Sequence, residues 1–252
     1  WFDDLGDSVS YDLRASDLTL GKHILKDYNI ITKEGVSYSI LINANDRANN
    51  NAKSDTIENV MFDVTPPILT LQSPIPNNPV NHTKVSFDIS EAIQIGSVEW
   101  RVVEGNDPKD SHIHPILGEQ LKGGVIVDHT FLSPPELVNG VLYDLIIKGT
   151  DLAGNKSEAV SINNILYDIA PPNFIDLEPI VDTFIRVPSI SYNLTEDLAE
   201  GKIYFDYVGG VTDPKTTHMI TLAGTKKQKG VRGGKLPSSF IALTNGSIYD
   251  IR

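Results

Sequence analysis

The 252 residues include no cysteine, so the fold must be held by its core and not by disulfides. No apolar run is long enough to cross a bilayer as a helix. Positive charge is scarce: 21 Lys and Arg stand against 33 Asp and Glu, a net charge of −12. That balance leaves no basic face for nucleic acid and no electrostatic pull toward anionic lipid. It suits a surface that repels its neighbours or collects cations. No initiator methionine, charged leader or small-residue cleavage site opens the chain. Hydrophobic content is ordinary at 40 %, which excludes a disordered tail. A module of ~100 residues buries a sufficient core without disulfides.

What is present is a repeat. Residues 38 to 100 lie on residues 143 to 205 without a gap, at a period of 105. Asp46-x-Ala48 matches Asp151-x-Ala153, and Asn50 matches Asn155. Asp63-Val-Thr-Pro-Pro67 matches Asp168-Ile-Ala-Pro-Pro172. Glu91 matches Glu196, and Gly96 matches Gly201. A third copy is entered at Asn245-Gly-Ser-Ile-Tyr249, the counterpart of Asn139-Gly-Val-Leu-Tyr143. Tandem copies of one module point to a spacer or a multivalent display, not an enzyme. The Pro pairs place module boundaries at 1–65, 66–170 and 171–252, with the first copy truncated at its N-terminal side and the third at its C-terminal side. The chain therefore reads as an excerpt of a longer one.

Within one copy the apolar residues alternate. Val85, Phe87 and Ile89 face one way, and Ile190, Tyr192 and Leu194 answer them one period later. Val98, Trp100 and Val102 alternate again, as do Ile203, Phe205 and Tyr207. Further runs cover 125–131, 141–150 and 160–167, with a weaker one at 68–72. Period-two alternation punctuated by Pro, Gly and Asn means short half-buried strands, and no long segment carries a period of 3.6. The expected fold is all-β: tandem immunoglobulin-like antiparallel β-sandwiches joined by short Pro-Pro linkers. Trp100 sits where strand C of such a fold places a core aromatic. Tyr143, with Tyr38 and Tyr249 in the same position, sits where a tyrosine corner bonds its hydroxyl back to nearby backbone. Core packing is the reading for all four.

The run Tyr143-Asp-Leu-Ile-Ile-Lys-Gly-Thr-Asp-Leu-Ala-Gly-Asn155, followed by Tyr167-Asp-Ile-Ala-Pro-Pro172, resembles the Ig-like repeats of large bacterial surface adhesins. So do the pairs Ser90-Glu91 and Thr195-Glu196. The resemblance covers essentially the whole chain, and related modules also occur as accessory domains of secreted hydrolases. It implies an extracellular, rod-like role at the cell surface, and calcium at module boundaries. The first copy departs from the turn pattern, with Asn49 where Gly154 stands; Asn also adopts the left-handed conformation.

In this sandwich the B–C and F–G loops lie at the pole where the preceding module enters. Glu91 falls in the first loop, Asp151 and Asn155 in the second, and Asp63 on the entering linker. These four are the candidate metal ligands of the first junction; Asp168 and Glu196 are offered by the second. Hard oxygen donors of this kind suit Ca²⁺, which takes six to eight oxygens. Against this, Asp151 in its turn can simply accept backbone N–H bonds and hold the loop. The Pro pairs fix φ and stiffen the linkers with or without metal.

Catalysis finds little in the sequence. None of the six histidines is seen to recur at the period of 105, and His112-x-His114 reads as part of a solvated loop without further zinc ligands nearby. There is no Gly-x-Ser-x-Gly elbow and no phosphate-cradling loop. Lys229-Gly-Val-Arg-Gly-Gly-Lys235 reads as an exposed basic loop. Residues 103–124 and 208–236 vary most between copies, so a partner, whether a surface glycan or a protein of another cell, is expected there. The function expected is a structural stalk or filament segment of a bacterial cell-surface adhesin, in contact with neighbouring modules of its own chain. The alternative is a non-catalytic accessory or binding region of a secreted polysaccharide-active enzyme.

Overall fold

The computed structural model describes residues 2–3, 8–25, 33–52, 56–235 and 241–252. Among them there is no α-helix; the chain is all-β, with antiparallel sheets and three short 3₁₀ turns. No helix among the described residues is long and apolar enough to cross a membrane. The chain divides into two compact units, Trp1–Ile169 and Ala170–Arg252.

The first unit opens with a three-stranded sheet of β1 (Phe2–Asp3), β2 (Ser37–Leu41) and β3 (Thr56–Met61), in that order. Seven strands follow: β4 (Leu69–Ser73), β5 (Val85–Ile89), β6 (Ile93–Glu104), β7 (Ser111–Ile116), β8 (Gly124–His129), β9 (Val141–Asp151) and β10 (Val160–Tyr167). They form two sheets, ordered β4-β5-β8 and β10-β9-β6-β7. Alternation dictates which side chains meet between them, because successive residues of a strand point to opposite faces. Val85, Phe87 and Ile89 of one sheet and Val98, Trp100, Tyr143, Leu145 and Ile147 of the other are buried in one cluster. Trp100 meets Tyr143 edge-on, ring centroids 6.2 Å apart.

The second unit repeats the order. β11 (Phe174–Glu178), β12 (Ser189–Leu194) and β15 (Gly230–Lys235) form one sheet; β14 (Thr217–Thr221), β13 (Lys202–Gly210) and β16 (Ser247–Ile251) form the other. Ile190, Tyr192, Leu194, Ile203 and Phe205 are in its buried core. Backbone specials repeat as well. Asn49 and Gly154 both have positive φ, as do Asn59 and Asn164, and Asn77 and Asp182.

Two readings of the sequence need correction here. Lys229–Lys235 is not a loop: residues 230–235 are β15, paired in register with β12 from Leu194↔Gly230 to Ser189↔Lys235. Its three glycines hide the alternation, and Gly233 packs so closely on β12 that a Cβ there would lie 2.5 Å from the Ile190 carbonyl oxygen. The intervals 103–124 and 208–236 are likewise framework, not free loops, although residue 236 itself lies outside the described residues. They hold β7 and β14, matching 3₁₀ turns at Gly118–Lys122 and Gly224–Lys227, the start of β8 and the whole of β15. The copies diverge in side chains but keep the same order of strands and turns.

Candidate metal centre

Strand ends and turns build this site. β5 stops at Ile89 and β6 starts at Ile93, so Glu91 is carried on a three-residue loop. The Ser90 hydroxyl accepts the Ile68 N–H at 2.9 Å, and the Ser90 N–H bonds back to the Ile68 carbonyl at 2.9 Å. Thr195 does the same for Asn173, at 2.9 and 3.1 Å. The hydroxyl of the Ser/Thr-Glu pair therefore ties the chain emerging from Pro-Pro to the end of β5 in the first unit and of β12 in the second.

Asp151 ends β9. Its Oδ1 accepts the N–H groups of Gly154 at 2.7 Å and Asn155 at 2.8 Å, and its Oδ2 accepts the Asn155 Nδ2 at 2.9 Å. Burial works to raise its carboxyl, but these donors win and hold it below the usual carboxylate range. The turn-holding role is thus real. Asp46 holds the equivalent turn of the preceding copy, with Ala48 N–H, Asn50 N–H and Asn50 Nδ2 each at 2.8 Å. Asn49 takes the left-handed conformation there at φ 68°.

Turn-holding does not exhaust Asp151. One carboxylate oxygen from each of Asp63, Glu91 and Asp151 lies within 4.8 Å of the others. Asp151 is buried, and Asp63 and Glu91 are half-buried. No Lys, Arg or His forms an ion pair with any of the three among the described residues. Burial raises the Glu91 carboxyl, and the negative charges of Asp63, Asp151 and Glu34 raise it further. Three uncompensated carboxylates at this spacing are a donor set that a divalent cation fits. Asn155 stands beside them but uses its amide nitrogen, which donates to the Asp63 carbonyl at 3.2 Å as well as to Asp151. It fastens the linker to the turn.

Asp168 and Glu196 fall in different units, and neither joins a group of three acids among the described residues. The Asp168 N–H bonds to the Val80 carbonyl at 2.9 Å.

Two sets of residues escaped the sequence reading. Glu34 is the first. Its Oε1 accepts the Thr65 hydroxyl and the Val64 N–H at 3.4 Å, holding the linker that carries Asp63. Thr65 lowers its carboxyl most, and it adds negative charge near Glu91. The signal was its position: Glu34-Gly35 stands where Asn139-Gly140 stands one period later.

The second set is buried. His112 is not in a solvated loop but on β7, 6 % exposed, with Nε2 2.8 Å from Asp107 Oδ2. The same oxygen accepts the Tyr143 hydroxyl at 2.6 Å, and Oδ1 accepts the Lys109 N–H at 2.8 Å. The second unit reproduces this. His218 Nε2 is 2.9 Å from Asp213 Oδ2, Lys215 N–H donates to Oδ1 at 2.8 Å, and Tyr249 donates its hydroxyl to Oδ2. The motif is Asp107-Pro-Lys-Asp-Ser-His112 against Asp213-Pro-Lys-Thr-Thr-His218, at an offset of 106. One extra residue between Gly210 and Asp213 hides it from a search at 105.

Compared with known proteins, the chain matches no family model and no curated protein.

Proposed function

We propose that this chain is a segment of an extracellular stalk or filament, built from tandem immunoglobulin-like modules of a large bacterial surface adhesin and stiffened by Ca²⁺ at a module junction. Sheets ordered β4-β5-β8 and β10-β9-β6-β7 correspond to strands A-B-E and G-F-C-C′ of an immunoglobulin-type sandwich, and β11 to β16 follow the same lettering as far as F. The first unit then holds two copies, joined at Pro66-Pro67. One observation carries the reading: the linker residue Asp63 meets the loop residues Glu91 and Asp151 of the next copy. Those three would hold the cation, whose positive charge would bind the linker to both loops. Glu34 and Asn155 each hydrogen-bond the linker. A junction fixed this way transmits position along a chain, which is what a stalk requires and what an active site does not.

Isothermal titration of the chain with Ca²⁺ tests the metal, and small-angle scattering with and without chelator tests the stalk. We expect saturable binding that Asp151→Asn and Glu91→Gln abolish, and an extended particle in calcium. No heat and no shift in melting temperature would remove the metal. A particle folded back on itself in calcium would remove the stalk.

A further inference from the structure

The buried Asp-His-Tyr set sits at one end of a chain of contacts that ends on the exit linker. Tyr143 donates its hydroxyl proton to Asp107 and accepts, on the same oxygen, the Val138 N–H at 2.9 Å. Val138 is followed by Asn139 and Gly140. The Gly140 N–H donates to the Tyr167 carbonyl at 2.8 Å, and the Asn139 Oδ1 accepts the Ile169 N–H at 2.7 Å. Residues 167 to 169 are where the chain leaves β10 for the next Pro pair.

The preceding copy keeps the outer half of this arrangement. The Tyr38 hydroxyl accepts the Lys33 N–H at 2.6 Å, the Gly35 N–H donates to the Phe62 carbonyl at 3.0 Å, and Glu34 accepts from Val64. In the second unit Tyr249 accepts the Thr244 N–H at 2.9 Å above Asp213 and His218. In each copy the donor is the residue five before the tyrosine, and the next two residues are Glu-Gly or Asn-Gly. Val80 also holds this exit, through the Asp168 N–H at 2.9 Å, but the Asn139–Ile169 bond is exposed, so conformational freedom at the Val138–Gly140 turn would release Ile169. A carboxylate shared by a tyrosine and a histidine, both buried, removes that freedom at its root.

We propose that Asp107, His112 and Tyr143 form a clamp that fixes where the chain leaves its module. His112 and Asp107 act as positioning residues: they orient Tyr143, which orients the Val138–Gly140 turn, which holds Ile169. The clamp lies wholly within one module and does not rest on the metal reading, so it is tested in chelator.

The measurement is amide hydrogen exchange on the intact chain. In Asp107→Ala, we expect the Gly140 and Ile169 amides to exchange at least tenfold faster, with Ile147 and Val98 at the sheet centre unchanged. In Asn139→Ala, which leaves the core intact, Ile169 should lose protection while the His112 ring resonances stay in place. Unchanged protection at Ile169 in Asp107→Ala would mean that the linker is held without the buried set. An equal loss at all four amides would mean that the set only supports the fold. Either result overturns the clamp.

Discussion

Trp100 is fully buried, and its indole N–H is the one buried side-chain polar atom without a hydrogen-bond partner among the described residues. An orphaned buried donor costs about 1–3 kcal/mol. The protein keeps it because the ring fills the centre of the core against Tyr143. The second unit solves the same position with Phe205, which is also buried and has no N–H to satisfy. Trp100→Phe should therefore leave stability within about 1–2 kcal/mol of the parent, the lost volume being offset by removal of the orphan. Trp100→Ala should cost about 3–5 kcal/mol. Urea unfolding followed by circular dichroism checks both, and equal losses in the two variants would refute the argument. At this scale the sequence was a good guide: alternation alone identifies Trp100, Tyr143 and their neighbours as core. Charged residues were less legible. Asp63, Glu91 and Asp151 could be picked out by recurrence, but Glu34 could not, because Asn takes its place in the other copies.

The apolar alternation marks most of the strands, among them β5, β6, β9, β10, β12 and β13, and it does not mark the β6–β7 hairpin. It is held by a polar set, so hydrophobic period is silent about it, and the one-residue insertion defeats a fixed-offset comparison. β15 is silent for another reason: its glycines carry no alternation, although Gly233 lies close against the β12 backbone. The β6–β7 hairpin and its counterpart β13–β14 share a pH signature. Hydrogen bonding from Tyr249, the Lys215 N–H and His218 outweighs burial and holds the Asp213 carboxyl far below its ordinary range. At Asp107 burial opposes, but Tyr143, His112 and Lys109 again prevail. A carboxyl lowered on folding contributes stability that is present above its unfolded pKa, about 3.8, and lost as pH falls through its folded value. Asp107→Asn should therefore be less stable near neutrality by about 1–3 kcal/mol, with a shallower acid limb below about pH 4. Unfolding midpoints measured against pH decide this, and parallel limbs in parent and variant would exclude the assignment.

For the molecule as a whole, charge is the property that matters. A net charge of −12 repels itself, so any salt relieves the folded chain somewhat by screening. Site binding must be told apart from that relief. Trp100, buried in the core, belongs to the unit that contains the three-carboxylate group. Tryptophan fluorescence therefore reports the unit in which calcium should act. At about a hundred times its dissociation constant, a bound ion adds about 2.7 kcal/mol, a shift of a few degrees in melting temperature. We expect that shift with Ca²⁺, and little of it with NaCl of the same ionic strength. Equal shifts with both salts would reduce the effect to screening.

The paired left-handed positions have a consequence for finding more of this protein's kind. At Asn59 and Asn164, and again at Asn77 and Asp182, the backbone has φ near +60°, where only Gly, Asn and Asp sit without strain. Core residues can drift among Val, Ile, Leu and Phe, and the histidine hairpin can slip by a residue. A left-handed corner admits no such trade. These sites form a sparse comb of permitted residues at fixed spacing, readable where hydrophobic similarity has worn away, and further copies should be recognisable by it first.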